Sequence, residues 1–168
     1  MPSPLEPLLL ALFEGGAGEP LPGPLPGLAS EARFLPLVTL ESGQRIGLTA
    51  AAAWIAVPAE GPPRAYADDD AHVFYEVLES KRADFDDRLE EAARAAGLPP
   101  DDVVLAFPAA GIVRAVLGKG LPYMTRLALL WLRTTELREL RADIVAVSRS
   151  PQSPVAIREL AERLIVPE

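Results

Sequence analysis

Apolar residues recur every three to four positions over most of the chain, and every second position over one short region. Leu5, Leu8, Leu9 and Leu12 hold the first period and predict a short helix over 4–13, with Ser3 as a cap and Pro4 in its first turn. Gly15-Gly16 ends it. Residues 19–26 then hold four prolines and one glycine. Proline lacks a backbone donor and fixes φ, so helix and central strand are both disfavoured there. The segment reads as an extended arm.

The every-second period appears over 34–57. Val38 and Leu40 alternate with Thr39 and Glu41, and Ile46 and Leu48 with Gly47 and Thr49. Ser42-Gly43 between them suits a two-residue hairpin loop, because glycine accepts the positive φ of such turns. Trp54–Val57 is the third strand, closed by Pro58. Ala50–Ala53 fits neither pattern clearly. A small antiparallel meander is the expectation.

Helical spacing resumes after Asp68-Asp69-Asp70, which suit a helix start by satisfying free N–H groups and the macrodipole. Phe74, Leu78, Phe85, Leu89, Ala92 and Ala96 predict one long helix over about 71–96, with Glu79, Arg82, Asp86 and Glu90 facing away. Gly97 and Pro99 stop it. Residues 101–107 fit helix or strand. Residues 108–117 read as a helix closed by Gly118 and Gly120. Leu121–Val147 is the densest apolar run and reads as the central core helix. Its stripe is Leu127, Leu130, Leu137, Ile144 and Val147. Thr134-Thr135 before Glu136 offers a second helix start within it, and the β-branched 142–148 offers a strand instead. Ser153 and Pro154 open a last helix to about Val166, with Ile157, Leu160, Ala161 and Leu164 inward.

These elements make an α+β fold, mostly helical, with a small meander near 34–57. The alternative is an α/β fold with an additional strand at 142–148. Residues 1–26 form an N-terminal helix and Pro-rich arm, and 27–168 a single globular domain. A chain of 168 residues buries enough surface to need no staple.

Composition narrows the chemistry. There is no Cys, which excludes thiol catalysis, Cys-ligated zinc and iron–sulfur clusters. Asn is absent, Gln occurs twice, and Lys81 and Lys119 are the only lysines. This skew fits a GC-rich bacterial genome, and heat adaptation gives the same bias. The net charge of −8 is split: residues 1–102 hold 18 acids and 7 bases, and residues 103–168 hold 6 acids and 9 bases. The acidic total argues against nucleic-acid binding, which needs a basic footprint. The apolar run 127–132 is far shorter than the ~20 residues of a membrane span, and no basic leader precedes the first helix. A cytoplasmic location follows as the expectation.

Two groups of residues carry candidate chemistry. Asp68, Asp69, Asp70, His72, Glu76 and Glu79 lie within twelve positions, followed by Asp84, Asp86, Asp87, Glu90 and Glu91. Carboxylates paired along helices hold Mg²⁺ or Mn²⁺ in all-helical phosphohydrolases, and His72 is the only histidine available as ligand or base. The competing reading is a solvated acidic face. The second group is Tyr123, Arg126, Trp131, Arg133 and Arg141. Aromatic and arginine side chains dominate interaction surfaces, and these arginines are placed to meet the acidic helix. The loop 148–153 precedes a helix N-terminus but lacks the glycines of a phosphate loop.

One histidine, no cysteine and a divided charge favour a non-enzymatic interaction or adaptor protein. It associates with itself or a protein partner, possesses no resident cofactor and touches no membrane. The rival expectation is a metal-dependent hydrolase using the acids of 68–91. The third is nucleic-acid binding through the C-terminal arginines.

Overall fold

The computed structural model describes residues 2–29 and 32–165. The chain divides into two compact units: residues 1–67 with 83–107, and residues 68–82 with 108–168. The chain therefore passes between units three times.

The first unit holds α1 (Glu6–Glu14), strands β1 (Glu19–Pro20), β2 (Arg33–Thr39), β3 (Arg45–Thr49), β4 (Trp54–Val57) and β5 (Arg64–Ala65), then α2 (Arg82–Ala96) and α3 (Pro100–Ala106). Arg82 opens α2 but belongs by its neighbours to the second unit. The strands form one antiparallel sheet in sequential order, the expected meander extended on each edge by a two-residue strand. Short edges limit the unpaired backbone available to another chain.

The β2–β3 loop is longer than two residues. The Leu40 carbonyl accepts from the Gly43 N–H at 2.9 Å, and the Leu40 N–H donates to the Gln44 carbonyl at 2.7 Å. The loop is thus Glu41-Ser42-Gly43, with Gly43 at φ +88°, the left-handed residue such three-residue loops need. Ala50–Ala53 is the β3–β4 turn. Thr49 clamps it from both ends, its N–H donating to the Ala53 carbonyl and its carbonyl accepting from Ala52. Within the ladder, Pro36 faces Gly47 and the register shifts between Pro36 and Val38. A Cβ on Gly47 would lie 2.1 Å from the Leu35 carbonyl oxygen, so only glycine lets these two backbones close.

The proline-rich segment is fastened to this sheet. Glu19 and Pro20 pair with Phe34 and Arg33, and Arg33 donates to the carbonyls of Gly16 and Gly18. Arg45 pairs with Glu19 at 2.5 Å. Leu25 is buried with Phe34, Ile55 and Val57. A second aromatic group joins strand to helix: Trp54 meets Phe107 edge-on at 5.0 Å, Phe107 meets Phe85 at 4.9 Å, and the Trp54 indole donates to the Ala106 carbonyl.

The second unit is helical. It holds a 3-10 helix (His72–Glu79), α4 (Ala109–Lys119), α5 (Pro122–Trp131), α6 (Thr134–Glu139), α7 (Arg141–Arg149) and α8 (Val155–Ile165). Gly120, at φ +66°, ends α4 in the left-handed cap that glycine favours. Helix α7 packs on α8, α5 on α4 and α8, and the 3-10 helix on α4 and α5. Phe74, Val77, Ile112, Val116, Leu129, Leu140, Ile144 and Ala161 are buried.

Three expectations are corrected here. The long helix over 71–96 is broken: Ser80 is extended (φ −85°, ψ 151°), and its carbonyl accepts the Trp131 indole N–H at 2.9 Å. Of the residues expected to face away, Asp86 is 1% exposed and Arg82 is largely buried. The helix over 121–147 is likewise three helices, with Leu130 of its supposed core stripe exposed and Ala128 and Leu129 buried instead. Residues 142–148 lie within α7, which removes the additional strand and the α/β alternative. The expected last helical residue, Val166, lies outside the described residues.

Candidate functional site

The 3-10 helix decides which acids meet. Its side chains at i and i+3 eclipse one another, so they stand in three columns. Phe74 and Val77 point inward and are fully buried. His72 and Tyr75 share a second column. Glu76 and Glu79 share the third and stand away from His72, whereas an α-helix would have set Glu76 beside it.

Four of the six metal candidates consequently border one cavity and two do not. Asp68, Asp69, Asp70 and His72 line a cavity of about 310 Å³ together with Tyr75 and, from the end of α4, Lys119. His72 Nδ1 lies 2.6 Å from Asp70 Oδ1. Burial, reinforced by the Asp70 charge, raises the Tyr75 pKa. Glu79 is bound elsewhere: its Oε2 accepts the Tyr123 hydroxyl at 2.7 Å. Among the described residues no group of three or more His, Asp or Glu side chains is placed to hold a metal ion.

The interaction candidates scatter, because the helix that was to align them is broken twice. Tyr123 and Arg126 are exposed on α5. Hydrogen bonding to Glu79, then desolvation and the Glu79 charge, raise the Tyr123 pKa, while Arg126 opposes them. Trp131 is 2% exposed and belongs to the core. Arg133 precedes α6, and its backbone N–H donates to Glu136 at 2.8 Å. Arg141 opens α7 and donates to the Ile165 carbonyl at 3.1 Å.

The ion pair between Arg82 and Glu136 runs opposite to the expected sense. The cation comes from the acidic stretch and the anion from the arginine-rich one. Arg82 meets Glu136 through two parallel contacts of 3.0 and 2.7 Å, with side chains only 10% and 13% exposed. Its guanidinium lies 4.4 Å from the Trp131 ring centroid and donates to the Trp131 carbonyl. Periodicity could not have found this node, since both partners sit where a continuous helix was expected.

Sequence reasoning named Tyr123 and Arg126 on the outer face of α5 but set Leu127 and Leu130 in the core stripe. Tyr123, Arg126, Leu127 and Leu130 follow i, i+3, i+4, i+7 spacing opposite the buried Thr125, Ala128 and Leu129. Tyr123 is 59% and Leu130 56% exposed, and Leu127 is half-buried. Two apolar stripes on one helix merge into a single dense run when read as sequence.

Comparisons with protein-family models, with curated proteins and with solved structures return no match. No helix among the described residues is long and apolar enough to cross a membrane.

Proposed function

We propose that this chain is a non-enzymatic interaction protein that associates with a second copy of itself through the outer face of α5. The observation that carries this reading is the stripe Tyr123–Arg126–Leu127–Leu130, apolar at both ends, with Tyr123, Arg126 and Leu130 exposed and Leu127 half-buried in the isolated chain. Helical stripes of this spacing are the usual means by which one helix docks on another. The stripe also suits itself. In an antiparallel pairing about a twofold axis, the Tyr123 end of one copy meets the partner's Leu130 at one edge, and symmetry repeats the contact at the other. Tyrosine is well fitted to such a position, combining a large apolar ring with a polar tip. The proline-rich segment, expected to reach a partner, uses Leu25, Glu19 and Pro20 within its own unit, so the self-association is assigned to α5.

The test is solution mass across a concentration series, for the parent chain and Leu130→Glu. A dimer that becomes a monomer on Leu130→Glu is the expected result. A parent chain that stays monomeric at the highest concentration, or a dimer indifferent to Leu130→Glu, overturns the proposal.

A further inference from the structure

Arg126 stands in the middle of the α5 stripe, between Tyr123 and Leu130. Successive residues turn about 100° around a helix, so Tyr123 and Leu130 fall close to the centre line of the outer face. Arg126 then lies on one flank of that line and Leu127 on the other, at almost the same height. Arg126 is exposed, and among the described residues no carboxylate forms an ion pair with it. Its charge reaches the Tyr123 hydroxyl, where it opposes the effect of Glu79. The Glu79 carboxylate is itself taken up by that hydroxyl at 2.7 Å.

At a twofold interface the residues nearest the axis meet their own copies. Setting Tyr123 against the partner's Leu130 puts the axis between positions 126 and 127. Leu127 then meets the partner's Leu127 on one flank, and Arg126 meets the partner's Arg126 on the other. The first contact is apolar. The second brings two guanidinium groups together across helices ~8–10 Å apart, where like charges repel.

We propose that the two Arg126 side chains of the dimer hold a free tetrahedral oxyanion, inorganic phosphate, between them. The inference rests on the self-association proposed above and makes this ion its regulator. Each guanidinium presents a planar fork of N–H donors that fits two oxygens of such an ion. Four oxygens therefore serve two forks, one from each copy, and the site is incomplete in a single chain. Chloride offers no edge for a fork to grip.

The experiment measures the dimer Kd of the full chain by sedimentation, in inorganic phosphate and in chloride at equal ionic strength, so that general screening is the same in both. Phosphate is expected to tighten the parent dimer about tenfold, the scale of a charge-assisted hydrogen-bonded contact. Arg126→Gln removes both the repulsion and the forks. Its dimer is expected to be indifferent to phosphate and, in chloride, at least as tight as the parent's. Arg126→Lys keeps the charge without the fork, and its response to phosphate is expected to fall below the parent's. Glycerol phosphate, with one oxygen esterified, is expected to act less than phosphate, and an equal effect overturns the assignment to the free ion. A parent dimer equally tight in both salts, or a phosphate effect that persists in Arg126→Gln, overturns this inference alone. A chain that is monomeric in both salts overturns the self-association and this inference together.

Discussion

Arg82 and Glu136 form a two-point ion pair, with contacts of 2.7 and 3.0 Å, in a setting where each side chain keeps little more than a tenth of its surface in water. Around it close the two helix breaks that the hydrophobic pattern conceals. A continuous helix would spend the Ser80 carbonyl on an amide four residues on. The break frees that carbonyl, and the Trp131 indole takes it. Trp131 ends α5, and its ring carries the Arg82 guanidinium. The far side of the second break is held by Glu136, which accepts the Arg133 N–H.

Removing one partner leaves the other charge in a poorly hydrated place. Glu136→Gln or Arg82→Met is therefore expected to cost about 3 kcal/mol, the scale for breaking a largely buried pair. Denaturant unfolding of both single variants and the double variant checks it. A loss below about 1 kcal/mol in each single variant would class the pair with ordinary surface bridges.

Gly47→Ala forces the β2 and β3 backbones apart, because the added carbon meets the Leu35 carbonyl oxygen. The expected loss is about 1–3 kcal/mol, the usual scale of overpacking. A variant as stable as the parent would mean that the Pro36–Gly47 register shifts freely.

Tyr123 titrates above the ordinary 10.0 because its hydroxyl is bonded to Glu79. The bonded phenol is the neutral form, so the contribution of this contact is complete below the ordinary tyrosine pKa and is lost as pH rises through the raised one. Glu79→Gln should move the Tyr123 transition to lower pH. Resolved tyrosine resonances followed through an alkaline titration provide the check, and an unmoved transition counts against the contact.

Divalent metal is expected to leave the chain unchanged. The carboxylates of Asp68, Asp69 and Asp70 border a cavity with His72, but Glu76 and Glu79 stand in another column of the 3-10 helix. Thermal unfolding with Mg²⁺ or Mn²⁺ should match that without. A Tm rise of several degrees that Glu76→Gln removes would restore the hydrolase reading.

The sequence was most legible where a single residue sets the backbone. Gly43 marks the hairpin, Pro122 and Pro154 mark helix starts, Gly120 marks a helix end, and the alternation over 34–57 marks three strands. It was least legible where partners distant in sequence decide. Neither Ser80-Lys81 nor Leu132-Arg133 contains a helix breaker, and both breaks are fixed by Trp131, Arg82 and Glu136 across about fifty residues. Strands β1 and β5 are two residues long, too short to show a period. Of the acidic candidates, Asp68, Asp69, Asp70 and His72 border one cavity with Tyr75, while Glu76 and Glu79 stand in another column of the 3-10 helix, a separation that depends on the helix type and is not legible from the count of acids.

The second unit's borrowed stretch, 68–82, has a practical meaning for anyone cutting this gene. Neither unit corresponds to one continuous piece of coding sequence. A clone of 108–168 omits Phe74, Val77 and Leu78, all buried in the intact chain, and a clone of 1–107 carries those same three side chains away from the helices that cover them. Expressed singly, each fragment should be sticky. Expressed together, they should reassemble, and a faithful minimal version of the helical unit needs 68–82 spliced by a linker to 108–168.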